Sequence, residues 1–257
     1  LCLREVHEPE VPILNVMKTT LSREEYENNE VICSSIRDSV RLSDQDAVLY
    51  PRLAQALEQL TIEDMETMED SLSGAKERYD ESNPEFCSEI DEEMLFVQRA
   101  DRRILSLRKE FYSYLGGVHP IYGALGYNFD SDTGEKLELD DVVTDFEQAM
   151  ELVEQKLFEI YDKEAFYPDV EEMFDKFTPE EISWIMGYQG ITFLFNPYAI
   201  APYASGLMEV TLWYQDTPEL FVERYAKVPE DGYVVSLALG RAHEFDRNHT
   251  DGWADLL

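Results

Sequence analysis

The sequence predicts an α+β fold in which antiparallel sheets are each packed by a long amphipathic helix, in two consecutive modules. Short runs of β-branched and aromatic residues, bounded by turn residues, indicate paired strands. Two longer stretches, Tyr50–Tyr79 and Phe146–Ile160, carry apolar residues at helical spacing instead. Each helix follows strand-like runs, so each is expected to cover one sheet.

The first module is predicted over residues 13–115 and begins with a β-hairpin. Ile13–Tyr26 and Glu30–Leu42 contain strand-forming residues, several of them at alternating positions. Asn28 and Asn29 supply the turn between the two runs. We therefore expect two antiparallel strands at the start of this module.

The first long helix is predicted over Tyr50–Tyr79. Its apolar residues lie three to five positions apart and form one stripe, and Pro51 suits the first turn. Thr61 with Asp64 resembles a capping box, which favours a break near Leu60 and a second helix start after it.

The rest of the first module is predicted as an acidic loop followed by two strands. The loop covers Glu81–Glu93, where dense carboxylates indicate a solvated surface. Met94–Tyr114 then favours two strands that turn at residues 101–103.

The second module is predicted over residues 116–226, and an extra strand with an acidic tail over residues 227–257. Tyr127–Leu139 favours two short strands around a turn. Thr144 with Glu147 makes a capping box ahead of the second long helix.

Tyr188–Tyr214 bears most directly on function. Two apolar strand-like runs, Gln189–Phe195 and Gly206–Tyr214, flank a loop rich in proline and tyrosine. Amphipathic rings in a loop stiffened by proline suit recognition of another protein surface. Alternatively, the rings fold back onto the sheet. The candidate partner-binding residues are Tyr198, Pro202 and Tyr203.

Three stretches stand in an order known from one family: GGVHP (Gly116–Pro120), YNFDSDTGEKLELDDV (Tyr127–Val142) and, after a helix, FNPYAIAPYASGLMEVTLWY (Phe195–Tyr214). They resemble the domain of unknown function shared by RsiV-like anti-sigma factors and PdaC-like peptidoglycan deacetylases. Residues 116–226 resemble the RsiV-like module, and residues 13–115 resemble the PdaC-like module that precedes it. The resemblance implies an extracytoplasmic protein, secreted or anchored at the bacterial cell surface.

The same resemblance implies binding, because RsiV-like ectodomains sense lysozyme by clasping it, whereas PdaC-like versions accompany a separate catalytic domain. The shared stretches are structural motifs, which specify a fold better than an activity. We therefore expect a non-catalytic binding or sensor domain that recognises lysozyme or cell-wall material. The alternative is a carboxylate-based hydrolase that acts on envelope glycans.

The charge balance agrees with a cationic partner. The chain has 55 Asp plus Glu against 21 Lys plus Arg, a formal net charge of -34. Such a field repels nucleic acid and anionic lipid surfaces and attracts basic proteins such as lysozyme. Dense acid also serves solubility alone. Because no apolar run reaches about 18 residues, the sequence predicts no membrane-spanning segment.

No catalytic, metal or cofactor signature stands out, so no catalytic residue and no cofactor are expected. Serine-hydrolase, Walker and dinucleotide motifs are lacking, and the histidines have no ligand-type spacing. His119, beside Pro120, is interpreted as a turn residue with a satisfied ring. Near the end of the chain, a stretch of oxygen-bearing residues resembles a degenerate calcium-binding loop: Asp246, Asn248, Thr250, Asp251 and Asp255. Because this stretch lacks the glutamate at the twelfth position of such loops, we expect a polar tail and not a calcium site.

The chain has three cysteines, Cys2, Cys33 and Cys87, which are too scattered to form a zinc site. The sequence does not decide whether Cys33 and Cys87 form a disulfide. Because the sequence begins with Leu1 and not with Met, we also expect it to be a fragment or a processed protein.

Overall fold

The computed structural model describes residues 13–80 and 87–226, together with the backbone of two strands at 233–237 and 241–245. Within these ranges the chain has the predicted mixed α+β fold. Antiparallel pairing predominates, and a long helix covers each of the two larger sheets.

The first sheet has five strands in the order in which they occur along the chain. They are β1 (Val16–Glu27), β2 (Glu30–Leu42), β3 (Glu89–Ala100), β4 (Ile104–Tyr114) and β5 (Ile121–Asp130). The predicted hairpin is confirmed, and Asn28 and Asn29 form its turn with φ of 50° and 65°, as tight hairpin turns require. The strands β2 and β3 are parallel, and two helices connect them, α1 (Asp44–Leu49) and α2 (Pro51–Arg78).

The helix α2 runs without interruption, so the predicted break near Leu60 is wrong. The Thr61 hydroxyl donates a hydrogen bond of 2.9 Å to the Leu57 carbonyl, within the helix. Asp64 faces the sheet, where its carboxylate pairs with the ammonium of Lys109. Both polar side chains therefore find partners inside the packed structure and do not cap a second helix.

The acidic-loop prediction is wrong for residues 89–93, which begin β3; residues 81–86 lie outside the described ranges. The Glu89 carboxylate is buried and accepts two hydrogen bonds from Arg78, at 2.8 and 2.6 Å. Asp91 and Glu93 pair with Arg37 of the neighbouring strand. Cationic partners that come from elsewhere in the chain allow these acids to join a sheet.

The second sheet contains β6 (Ser183–Met186), β7 (Gly190–Phe195) and β8 (Met208–Trp213), all antiparallel, so the central strands are confirmed. Among the described residues after β5 are four α-helices: α3 (Leu139–Val142), α4 (Phe146–Ile160), α5 (Val170–Phe174) and α6 (Glu223–Ala226). The buried stripe of α4 shares a core with β7 and β8. A separate hairpin pairs β9 (Tyr233–Leu237) with β10 (Arg241–Phe245).

Two local predictions in this half are wrong. The second short strand before Leu139 does not form, because only Lys136 bridges Phe129 and Leu139 already begins α3. The cap of α4 is Asp145, whose carboxylate accepts from the Gln148 amide at 3.0 Å. The Thr144 hydroxyl instead donates to the main-chain carbonyl of Glu219, which precedes α6 in the chain.

The strand β5 follows residue 115 in the chain, yet it pairs with β4 and completes the first sheet. The first sheet therefore includes a strand from the segment predicted as the second module. The division into residues 13–115, 116–226 and 227–257 stays a prediction.

Cys33 and Cys87 are free thiols, so the disulfide that the sequence left open is not formed. Cys33 is buried against α2. Burial, followed by the nearby Glu89 and Asp91 carboxylates, raises the pKa of the Cys33 thiol to about 11. This cysteine therefore stays protonated near neutral pH and packs as a small apolar side chain.

A close backbone contact joins the two sheets. Gly126 of β5 lies so near β6 that a Cβ on this residue would be 1.6 Å from the Trp184 carbonyl oxygen. Beside it, the side-chain amide of Asn128 donates to the same carbonyl at 2.8 Å. The main-chain amide of Met186 donates to the Ser106 hydroxyl at 2.9 Å. The sheets thus meet through hydrogen bonds that leave no room for a side chain at position 126.

Gly126→Ala is expected to destabilise the fold by about 3 kcal/mol or more, because the new methyl group must push the two sheets apart. Gly187→Ala is the matched control, since its Cβ would meet its nearest neighbouring atom at 3.5 Å. Urea denaturation measures both free energies of unfolding. Equal losses in the two variants would contradict the close contact at Gly126.

Asp130 links β5 to α6 through a buried carboxylate. It accepts hydrogen bonds from the Thr133 amide at 3.0 Å, the Tyr225 hydroxyl at 2.9 Å and the Arg224 guanidinium at 2.8 Å. Burial alone would raise the pKa of Asp130, but these donors outweigh it and the pKa lies below its usual value. The ionised carboxylate therefore stabilises the folded state.

Stability that depends on ionised Asp130 is present above the pKa of an unfolded aspartate, about 3.9, and is lost as pH falls through the lower folded pKa. Asp130→Asn is expected to be less stable than the parent at neutral pH and to lose less stability between about pH 4 and pH 2. Urea denaturation at several pH values measures this slope. An unchanged slope in the variant would contradict the role of Asp130.

Candidate partner-binding site

The loop that joins β7 to β8 is fixed to β5 by the side chain of Asn196. Its amide oxygen accepts from the Ala124 amide at 2.7 Å, and its amide nitrogen donates to the Ala124 carbonyl at 3.1 Å. Gly123 permits this approach, because a Cβ there would lie 2.4 Å from the Asn196 amide oxygen. Asn196 thus pairs with β5 as one residue of a strand would.

The loop brings two tyrosines against the segment that enters β5, and four rings form what we call the aromatic cluster: His119, Tyr122, Tyr198 and Tyr203. The His119 ring stacks on Tyr203 with centroids 3.9 Å apart and planes at 25°. Tyr122 meets Tyr203 edge-on at 5.5 Å, and the Tyr198 hydroxyl lies 3.3 Å from His119 Nε2. These contacts fix the relative positions of the rings.

The three residues predicted from sequence lie together in this loop, with different exposure. Tyr198 is 55% exposed and Pro202 is exposed, whereas Tyr203 is half-buried. The Tyr203 hydroxyl donates to the Pro120 carbonyl at 2.9 Å. Tyr203 therefore packs onto the protein and supports the cluster, while Tyr198 and Pro202 face solvent.

The backbone at Tyr198 has φ of 74°, in the left-handed region. A bulky residue there costs on the order of 1–2 kcal/mol. The Tyr198 amide donates to the Ala201 carbonyl at 3.0 Å, which closes the turn that imposes this conformation. The chain thus keeps an exposed aromatic ring at a position where glycine would be unstrained, which suggests a role in binding.

Apolar side chains close in sequence to His119 and Tyr122 are also exposed. Leu115, Val118 and Ile121 have 52%, 100% and 62% of their surface exposed; the first two lie in the loop after β4, and Ile121 begins β5. Tyr112 of β4 lies opposite Tyr122 in the strand register. Because side chains alternate along a strand, Tyr112 and Tyr122 share the face of the sheet that carries the cluster, whereas Ile121 projects to the opposite face.

Burial of Tyr203, followed by the neighbouring Tyr122 and Tyr112, raises the pKa of its hydroxyl. At neutral pH this hydroxyl therefore keeps its proton and continues to donate to the Pro120 carbonyl. The hydrogen bond and the stacked ring of His119 act together to hold Tyr203 in place.

Sequence reasoning did not place His119 or Tyr122 in the site. The interpretation of His119 as a turn residue with a satisfied ring agrees with its contacts, since Nδ1 lies 2.9 Å from the Pro120 carbonyl and Nε2 faces Tyr198. The preceding glycines, Gly116 and Gly117, both have positive φ. GGVHP and NPYAIAPY both belong to the family motif but are separated by YNFDSDTGEKLELDDV and a helix, so their shared membership was the available signal for this pairing.

No group of three or more histidine, cysteine, aspartate or glutamate side chains that could hold a metal ion occurs among the described residues. The polar tail expected at residues 246–255 lies outside that part of the chain. In the described helices, no segment is long and apolar enough to cross a membrane.

Comparison with known proteins identifies a domain but no activity. Residues 136–215 match the family described as "Protein of unknown function (DUF3298)". A crystal structure of a DUF3298 family member from Bacteroides fragilis is similar with a TM-score of 0.55 and 19% identity, covering 84% of this chain and 95% of that one. None of the curated proteins matches the chain.

A DUF3298 family protein from Pseudomonas aeruginosa has a similar crystal structure as well. Its TM-score is 0.55 and its identity 17%, over 86% of this chain and 98% of that one. At such identities the likeness shows a shared fold across most of both chains and leaves function open.

Asn196→Ala removes two hydrogen bonds and is expected to destabilise the fold by about 1–3 kcal/mol, because the amide and carbonyl of Ala124 lose their partner. Gln155→Ala serves as the control, since the exposed Gln155 side chain donates to the exposed Glu159 on the same helix face, and this change should cost less than about 0.5 kcal/mol. Urea denaturation measures both. Similar small losses would mean that Asn196 does not anchor the loop.

Tyr198→Gly is expected to be more stable than Tyr198→Ala by about 1 kcal/mol, because both variants lose the ring but only glycine relieves the left-handed backbone. Thermal and urea denaturation of the two purified variants tests this order. Greater stability of the alanine variant would contradict a strained backbone at position 198.

Proposed function

We propose that this protein is a non-catalytic binding module that recognises a basic protein, with lysozyme as the preferred partner, at the bacterial cell surface in secreted or anchored form. The single observation that carries the proposal is Tyr198, an exposed ring kept in a left-handed backbone within a preformed aromatic cluster. Cell-wall material is the second ligand class.

The aromatic cluster suits a protein surface because its rings are amphipathic and already ordered. Tyrosine supplies a large contact area with few rotatable bonds, so little conformational entropy is lost on binding. The stacking of His119 on Tyr203 and the turn at Tyr198 hold the rings in place before a partner arrives. Tyr112, which lies opposite Tyr122 in the register of β4 and β5, extends the same face.

Charge supports a basic partner. The net charge of -34 speeds encounter with a cationic protein through long-range attraction, which salt screens. Close contacts at the aromatic cluster would then supply specificity, since burial of aromatic anchors depends little on ionic strength. Binding measurements at low and high salt concentration can therefore separate the long-range charge attraction from the close contacts at the aromatic cluster.

Lysozyme is proposed on the resemblance to RsiV-like ectodomains. The DUF3298 match over residues 136–215 supports that resemblance at the level of the domain. The loop that carries Tyr198 and Tyr203 lies inside the matched range.

Calorimetric titration with a C-type lysozyme at low and high salt tests the proposal, with another basic protein of similar size as control. We expect saturable one-to-one binding that persists at high salt and is absent with the control protein. Binding that fades with salt and does not distinguish the two proteins would mean charge attraction alone.

Tyr198→Gly combined with Tyr203→Ala should weaken lysozyme binding about tenfold or more while the protein remains folded. Tyr26→Ala is the control, because Tyr26 is an exposed tyrosine of β1, 51% accessible and outside the cluster; it should change the affinity less than about twofold. Titration and thermal melts are measured together. Unchanged affinity in a folded double variant would exclude the cluster as the contact surface.

A further inference from the structure

A second surface, formed by α4, the end of α5 and the turn after it, is an open groove of about 460 Å³, which we call the acidic groove. Its floor is apolar and its rim carries carboxylates. The floor residues are Phe146, Met150, Phe174, Phe177 and Pro179, and the carboxylates are Glu147, Glu151, Glu154 and Asp175. None of them belongs to the aromatic cluster.

The floor of the groove is well packed. Met150 and Phe174 are 5% and 6% exposed, and the rings of Phe174 and Phe177 meet edge-to-face with centroids 5.6 Å apart. Both rings also contact Phe195, the last residue of β7. The core therefore supports the floor from below, and its upper side offers apolar surface to a ligand.

The rim carboxylates converge because of helix geometry. Glu147, Glu151 and Glu154 lie four and then three residues apart, so they occupy one side of α4. Asp175 stands across the groove at the end of α5. All four line the same opening, and this concentrates negative charge over an apolar surface.

In the described part of the chain, no lysine or arginine forms an ion pair with these four carboxylates. Lys163 pairs with Glu171 at 3.0 Å and Lys176 pairs with Glu172 at 3.8 Å, whereas Lys156 of α4 lines a different pocket. Burial, followed by the charges of Glu171, Asp175 and Glu151, raises the pKa of Glu154. A cation placed in the groove would relieve this repulsion.

We propose that the acidic groove binds a cationic amphipathic peptide segment. An aliphatic or aromatic side chain of the segment rests on the phenylalanine floor, and neighbouring lysine or arginine side chains reach the carboxylates of the rim. Their alkyl stems cover the apolar surface while the charged ends stay at the solvent edge. The groove volume falls within the range of about 300–1,000 Å³ typical of ligand sites.

Charge complementarity selects this occupant. A metal ion would find oxygen ligands only at the exposed rim, and a neutral apolar segment would leave the carboxylates without partners. An anionic or acidic segment would add repulsion to the uncompensated charge of Glu147, Glu151, Glu154 and Asp175. A segment that alternates basic and apolar side chains satisfies both the floor and the rim.

Fluorescence anisotropy of the full chain with a short labelled peptide of alternating leucine and lysine tests the proposal. Glu151→Gln combined with Glu154→Gln should weaken binding about tenfold. The control, Glu58→Gln combined with Glu66→Gln, removes two exposed charges from α2 and should weaken binding less than about twofold. Equal effects of the two double variants would overturn the groove in favour of general charge attraction.

A glycine–lysine peptide of the same charge tests the floor, and it should bind about tenfold more weakly than the leucine–lysine peptide. Equal affinity of the two peptides would show that the phenylalanine floor is not used and would overturn the proposal. Tyr198→Gly should leave peptide binding unchanged, so failure at the groove and failure at the aromatic cluster give different results. Loss of peptide binding in Tyr198→Gly would also count against a separate groove.

Discussion

The pairing of the Asn196 side chain with the main chain of Ala124 positions the candidate site. Its two hydrogen bonds tie the loop between β7 and β8 to β5, and they form only because Gly123 has no side chain. The same strand carries Tyr122 and, at Gly126, the close contact with β6. The strand β5 thus joins the two sheets and also supports the aromatic cluster. Both functions depend on glycines that let another backbone or side chain approach.

The aromatic cluster combines order with exposure. Tyr203 is held by its hydrogen bond and by the ring of His119, whereas Tyr198 faces solvent with a strained backbone. Preorganised rings lose less entropy on binding, and the strain is tolerated because the Asn196 anchor and the closed turn hold the loop. The negative charge of the protein would speed the encounter with a basic partner, and contacts with the rings would slow its dissociation. The acidic groove adds a second place where negative charge lies over apolar side chains.

Sequence patterns predicted what depends on near neighbours. The hairpin turn at Asn28 and Asn29 and both long helices follow from local turn chemistry and from the burial of one face. The acids that begin β3 were missed because Arg37 and Arg78, which pair with them, are distant in sequence. Thr144 and Asp145 are both good caps, and a tertiary hydrogen bond of Thr144 decides between them. The loop of the site was found from its composition, but the contact of His119 with Tyr203 depends on how the sheets pack.

Hydrogen–deuterium exchange of the full chain, with and without lysozyme, tests most directly whether the face built around the Asn196 anchor is the binding surface. We expect slower exchange on binding in residues 115–123 and 196–206, with little change in the β1–β2 hairpin. Protection confined to that hairpin or to α2, with none around Tyr198, would contradict the account and place the partner on a different surface.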